Sequence, residues 1–131
     1  MVFEKHQSKG APKLKIEVPI SVGEFLDRLS ILEIKAENGL NVSSEISKYL
    51  IEKEKLSHRM GFEYYFSLIH EINNSLWKLE DIKRTSITRY TEEYSDVATL
   101  ITQINDLRFQ TKKRIDDYFE SEISEQKSHN F

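Results

Sequence analysis

The chain has 131 residues, the length of one domain, and its 38% hydrophobic content is enough for a packed core. Nineteen basic against 22 acidic residues leave a net charge of −3, which offers no bulk attraction for a phosphate backbone and argues against nucleic acid as a partner. Cysteine is absent, so disulfides, thiolate metal sites and cysteine nucleophiles are excluded together, and a reducing, cytoplasmic setting is expected.

The opening MVFEKHQSKG carries no apolar stretch of the signal-peptide kind, and no run approaches the roughly 18 apolar residues of a membrane span. Residues 1–13 read as a disordered arm, 14–120 as a single helical domain and 121–131 as a frayed tail. Leu14, Ile16 and Val18 alternate with Lys13, Lys15 and Glu17, the period-two pattern of a short extended segment that Pro19 confines to an edge or a strap. Ser21 and Glu24 form a capping box that opens a first helix, and Gly39 stops it. Ser43 or Ser44 caps a second helix, which runs through Met60 to Gly61. A third extends from about Phe62 to about Lys83, with Tyr65, Leu68, Ile69, Ile72, Leu76 and Leu79 three or four apart. The stretch Arg84 to Thr88 reads as a bend. Thr91, with Glu92 and Glu93 in the first turn, starts a fourth helix along Tyr94, Val97, Ile101, Ile104, Arg108, Thr111, Ile115 and Tyr118, ending near Glu120. The fold class is therefore all-α: an antiparallel bundle of about four helices, two of them long, with a short N-terminal extended segment.

Several polar residues sit where aliphatics belong. At 100° per residue, the inward stripe of the first helix is Val22, Phe25, Leu29, Leu32 and Ala36, with Glu33 on its border. Arg108 occupies the middle of the fourth helix's stripe, flanked by Asn105 and Lys112. A buried guanidinium cannot discard its charge, so Arg108 needs a carboxylate, and Glu33 and Glu80 are the leading candidates. Beside the aliphatic stripe of the third helix runs a second ridge, Phe66, His70, Asn73, Trp77, Glu80 and Arg84. Asp27 shares the opposite face of the first helix with Ile31 and Ile34, a second apolar strip that calls for another helix or a second copy of the chain, and a homodimer is expected.

Metal and nucleophile signatures are weak. His70-Glu71-Ile72-Asn73-Asn74 has the start of a zincin helix but asparagine where the second histidine belongs. The acidic pairs Glu24 with Asp27, Glu33 with Glu37, and Glu93 with Asp96 have the spacing that all-α nucleotide pyrophosphohydrolases use for Mg²⁺, but at 31% charged residues they read as solvated helix faces. No metal site and no cofactor are expected, and no phosphate loop or Ser-His-Asp set is present.

The opening VPISVGEFLDRLSILEIKAE resembles the signature VPxSxGExxDKxxILEIK of a small helical family of bacteria and their tailed phages, a domain of unknown function. The resemblance continues in LWKLED with Arg84, similar to LWxIEDxIR, and in Asn105-Asp106-Leu107-Arg108 with Lys112 and Ile115, similar to NDxRxxxKxxI. It covers most of residues 16–116. The chain departs from it between Tyr94 and Thr102, with Thr99 where the family carries arginine. The resemblance implies a shared fold and no particular activity.

The residues matched by the resemblance, Glu33, Trp77, Glu80, Asp81 and Arg84 from the first and third helices and Asn105, Asp106, Arg108 and Lys112 from the fourth, include the out-of-place polar residues found by geometry and form the candidate polar set. The first functional expectation is a non-enzymatic helical interaction or oligomerisation module with an internal Arg-carboxylate lock. The alternative is a small enzyme or ligand-binding protein for a phosphorylated or carboxylated metabolite, with or without Mg²⁺. In it Arg84, Arg108 and Lys112 clamp the anion, and Glu33, Glu80 or Asp106 serves as base or ligand.

Overall fold

A computed structural model describes residues 13–85 and 91–121. It contains four α-helices: α1 (Val22–Glu37), α2 (Ser43–Lys53), α3 (Phe62–Thr85) and α4 (Glu92–Tyr118). The expected arm, tail and Arg84–Thr88 bend fall wholly or largely outside the described residues. Residues 13–20 form no strand or helix, and Leu14, Ile16 and Val18 are exposed, so the alternating pattern marks a strap rather than a paired strand.

Local chemistry sets the helix ends. Ser21 Oγ accepts a hydrogen bond from the Glu24 N–H at 3.0 Å, and Thr91 Oγ1 accepts one from Tyr94 N–H at 3.2 Å. The reciprocal half of the capping box does not form, because the Glu24 carboxylate is engaged by Arg28 and Lys112 instead. α1 closes in a Schellman motif: Gly39 N–H donates to Ala36 O and Leu40 N–H to Lys35 O, with Gly39 at a φ of 85° that costs glycine nothing. α2 departs from expectation at both ends. Its N-cap is Val42 with no side-chain cap, since Asn41 takes the Ser43 hydroxyl, and it ends at Lys53, short of Met60. The remainder to Gly61 is a series of turns.

α1 is the centre of the fold and packs against each of the other three helices. Along α4 it runs antiparallel, in the register Gly23 with Asp116, Glu24 with Lys112 and Asp27 with Arg108. It also packs against α3, Asp27 meeting Asn73, while α2 packs on its outer side through the stacked rings of Phe25 and Tyr49. Because three helices cover it, α1 buries more than one stripe: Phe25, Leu26, Leu29, Leu32 and Ile34 among the apolar residues, and Asp27 and Ser30 among the polar ones. Of the inward stripe read from the sequence only Ala36 is exposed, and the second strip, which called for another helix or a second copy, has Asp27 and Ile34 buried within the chain itself. The main core joins α1 to Phe62, Phe66 and Ile69 of α3 and to Ile115 and Phe119 at the end of α4. A second, smaller cluster of Ile72, Leu76 and Ile101 ties α3 to α4 beyond it.

Candidate functional site

Asp27, on the buried side of α1, has 1% of its side chain exposed. Two nitrogens of Arg108 grip it in the planar fork geometry that a carboxylate matches: Nε donates to Oδ1 at 2.9 Å and Nη2 to Oδ2 at 2.6 Å. Asn73 Nδ2 donates to the same Oδ1 at 2.8 Å and to Ser30 Oγ at 3.2 Å. Lys112 Nζ stands 3.8 Å from Asp27 Oδ2 and 2.7 Å from Glu24 Oε1, and Arg28 Nε donates to Glu24 Oε2 at 2.6 Å. Alternating charges thus run from the cleft side through the interior to the outer surface: Arg108, Asp27, Lys112, Glu24, Arg28. Burial pushes the Glu24 carboxyl up, but hydrogen bonds from Lys112 and Arg28 outweigh it and hold it below the ordinary glutamate value. The hydrogen bond from Arg28 to Glu24, with Tyr49 alongside, raises Arg28 in turn.

The carboxylate that Arg108 requires is therefore Asp27, not Glu33 or Glu80. Glu33 lies toward His70, its Oε1 3.9 Å from Nδ1, and Glu80 pairs loosely with Lys83 at 3.7 Å. The signal for Asp27 was present in the sequence: an acid on a strip with Ile31 and Ile34 is as out of place as Arg108 on its own stripe. It is legible only once α1 is known to be covered on several sides. Ser30 and Asn73, which complete the network, carry no distinctive spacing.

Arg108 has a second side. Its side chain is 30% exposed and lines an open cleft of about 350 Å³ between α1, α3 and α4. α1 contributes Ile31 and Ile34, α3 contributes Asn73, Leu76, Trp77, Glu80 and Arg84, and α4 contributes Asn105 with Arg108. Five of the nine residues singled out from the sequence, Trp77, Glu80, Arg84, Asn105 and Arg108, meet here. Four do not. Glu33 lies away from the cleft beside His70, and Asp81 is an exposed surface residue paired with Arg84 at 3.0 Å. Asp106 is exposed on the outer face of α4, and Lys112 is buried behind Arg108 in the ion network, so it is no part of an anion clamp facing the cleft. Of the three acids considered as base or ligand, Glu80 alone lines it.

Among the described residues, no group of three or more His, Asp or Glu converges in a way that could hold a metal ion. The pair Glu24 and Asp27 converges on Lys112 instead. A wider groove of about 780 Å³ lies between the strap and α2, but none of its charged walls, Glu17, Arg28, Lys48, Glu52 and Lys55, is buried.

At the opposite end of the ion network, Asp116 ties α4 to the start of α1. Its Oδ1 accepts the Gly23 N–H at 2.6 Å, beside a bond from Val22 N–H to Ser121 Oγ at 3.1 Å, and these occupy N–H groups that a helix start leaves orphaned. Asp116 Oδ2 is buried with no hydrogen-bond partner among the described residues.

No protein-family model, curated protein or solved structure matches the chain. The site is therefore read from its geometry. The residues that build the cleft and the network behind it come from α1, α3 and α4.

Proposed function

We propose that the protein binds a small compound bearing a carboxylate or phosphate in the cleft between α1, α3 and α4. The carrying observation is the position of Arg108: a buried Asp27 fixes its guanidinium from behind while its side chain faces an open cleft. Holding a cation rigidly before the ligand arrives reduces the ordering cost of binding. Asn105 adds an amide one helical turn along α4, Arg84 a second cation at the rim, and Ile31, Leu76 and Trp77 an apolar wall. A few polar groups converging on an apolar surface is the usual make-up of a small-molecule site.

Trp77 is the sole tryptophan of the chain and lines the cleft, so its fluorescence reports occupancy. Titration with carboxylates and phosphate esters should change the Trp77 emission and raise the melting temperature, since ligand at 100 times its Kd adds roughly 2.7 kcal/mol. Asn105→Ala should abolish both responses without unfolding the protein. Absence of any response at millimolar ligand overturns the proposal.

A second reading, a helical interaction module that forms a homodimer, draws support from a different surface. Leu100 and Leu107 of α4, seven residues apart, are 42% and 49% exposed, and Ile82 of α3 is 40% exposed. The strip on which self-pairing was first expected offers less, since Ile34 is buried within the chain and Ile31 lines the cleft. Light scattering decides between dimer and monomer, and Leu100→Lys with Leu107→Lys should dissociate a dimer if that face forms it. Membership of the bacterial and phage helical family, and action in the cytoplasm, belong to the same proposal. Among the described residues, no helix is long and apolar enough to cross a membrane.

A further inference from the structure

The cleft carries charges of both signs, and their placement narrows the ligand class. Trp77 and Glu80 lie three residues apart on α3, and Asn105 and Arg108 three apart on α4, so each pair occupies one helical turn of its own wall. On the α4 wall the donors are a guanidinium and an amide. On the α3 wall the acceptor is the Glu80 carboxylate, beside an indole ring. Glu80 is loosely held, 3.7 Å from a Lys83 nitrogen that also stands 6.0 Å from the centre of the Tyr94 ring. Arg84, one turn beyond Glu80, is drawn to Asp81 on the surface side.

A plain anion would gain from Arg108 and Asn105, with Arg84 adding attraction at the rim, but would be repelled by Glu80 and leave that carboxylate without a partner in the ligand. A neutral apolar compound would desolvate both charged groups without compensation. An ammonium, by contrast, is attracted by a carboxylate and by the face of an indole. A volume of about 350 Å³ is near the small end of ligand pockets, which suits a molecule with a single ring or branched chain. Building on the anion-binding reading above, we propose that the ligand is a zwitterion. It carries a carboxylate held by Arg108 and Asn105, an ammonium held by Glu80 and Trp77, and an aromatic or branched apolar body on the Ile31 wall. This is the chemistry of a free amino acid.

The test uses the full chain and a set of probes matched in size: phenylalanine and leucine, 3-phenylpropionate, which lacks the ammonium, and phenethylamine, which lacks the carboxylate. Calorimetry and Trp77 fluorescence should show at least one of the two amino acids binding tenfold or more tightly than either truncated probe. Glu80→Gln, a change at a half-exposed position whose folding circular dichroism verifies, should erase the preference over 3-phenylpropionate while leaving that probe's own affinity equal or higher. Equal binding of phenylalanine and 3-phenylpropionate overturns the zwitterion and leaves the anion site standing, as does binding of other carboxylates or phosphates with no response to either amino acid. Preference for phenethylamine, or no response to any carboxylate, phosphate or amino acid, overturns both.

Discussion

The two ends of the bundle are built differently. Around Asp27 three helices meet, α2 packs on the outer side of α1, and polar and apolar residues alike are buried. Toward the end of α3 and the start of α4 only two helices remain, joined by a cluster with three buried residues and bordered by exposed Ile82 and Leu100. Helix length accounts for the difference. At 1.5 Å per residue, the 16 residues of α1 span about 24 Å, whereas the 24 of α3 and 27 of α4 span about 36 and about 40 Å. α1 therefore runs out partway along its partners, and the cleft forms where its last turns leave α3 and α4 incompletely covered. The site is a consequence of that mismatch: its floor belongs to the well-packed end and its rim to the two-helix arm.

The sharpest way to break this contrast is to remove the charge at the centre of the packed end. Asp27→Ala leaves Arg108 and Lys112 facing a buried gap, and losing one partner of a buried ion pair costs about 3 to 5 kcal/mol. Denaturant unfolding should register that loss. Replacing both partners, Asp27→Leu with Arg108→Met, should recover most of it, because an apolar pair of similar volume has no charge to desolvate. If Asp27→Ala is no more costly than Glu80→Ala at the exposed rim, the ion network does not hold the packed end together.

Next in size is the joint between α1 and α4. Gly23 sits so close to α4 that a Cβ there would collide with the Lys112 carbonyl oxygen and lie 2.8 Å from Asp116 Oδ1. Neither can retreat without breaking the bond from Gly23 N–H to Asp116. Gly23→Ala gains up to about 1 kcal/mol of helix propensity but meets an overpacking cost of about 1 to 3 kcal/mol plus a damaged tertiary cap. A net loss of about 2 kcal/mol is expected by thermal or denaturant melting, and a neutral result would show the joint to be looser than drawn.

These residues also mark how far the sequence could be read. The four helices, the caps at Ser21 and Thr91 and the stop at Gly39 follow from spacing and local hydrogen bonding, which depend on neighbours a few residues away. Arg108 announced itself in the same way, as a charge on an aliphatic stripe. Its partner did not, because the identity of Asp27 depends on which sides of α1 are covered, and that is decided by α3 and α4, 46 and 81 residues along the chain. Lys112 was misplaced for the same reason: on its own helix it lies beside Arg108, yet across the interface it meets Glu24 and turns away from the cleft. Five residues that line the cleft stood out on their own helices, but four others singled out with them lie elsewhere, and the cleft's existence was not legible, since it arises from unequal helix lengths in three dimensions.

At the outer end of the charge ladder the effect is smaller and depends on pH. Glu24→Gln removes a charge-assisted hydrogen bond to Lys112 and should cost about 1 to 2 kcal/mol at neutral pH. The Glu24 carboxyl is held below its ordinary value in the folded protein, so the folded state binds this proton less readily than the unfolded state. Its contribution is therefore complete above the ordinary glutamate range of about 4.3 and is lost as pH falls through the lowered folded value. The stability gap between the wild type and Glu24→Gln should narrow over that acid window and nowhere above it; a gap that stays constant to lower pH would remove Glu24 from the network.

The smallest stability effect is expected on the arm, at Arg84→Gln. Arg84 and Asp81 form a surface pair in which both side chains are more than half exposed, and such pairs contribute at most about 1 kcal/mol, often less than 0.5. Melting should hardly change. Yet Arg84 also lines the rim of the cleft, where a cation beside a bound carboxylate or phosphate contributes through a charge-assisted hydrogen bond of about 1.5 to 3 kcal/mol. Ligand affinity read from Trp77 fluorescence should therefore fall about tenfold or more while the fold is untouched. That separation distinguishes the two ends of the bundle: substitutions at the packed end change stability first, and substitutions on the arm change binding first. An Arg84→Gln variant that binds as tightly as the wild type would confine anion recognition to Arg108 and Asn105 on the α4 wall of the cleft.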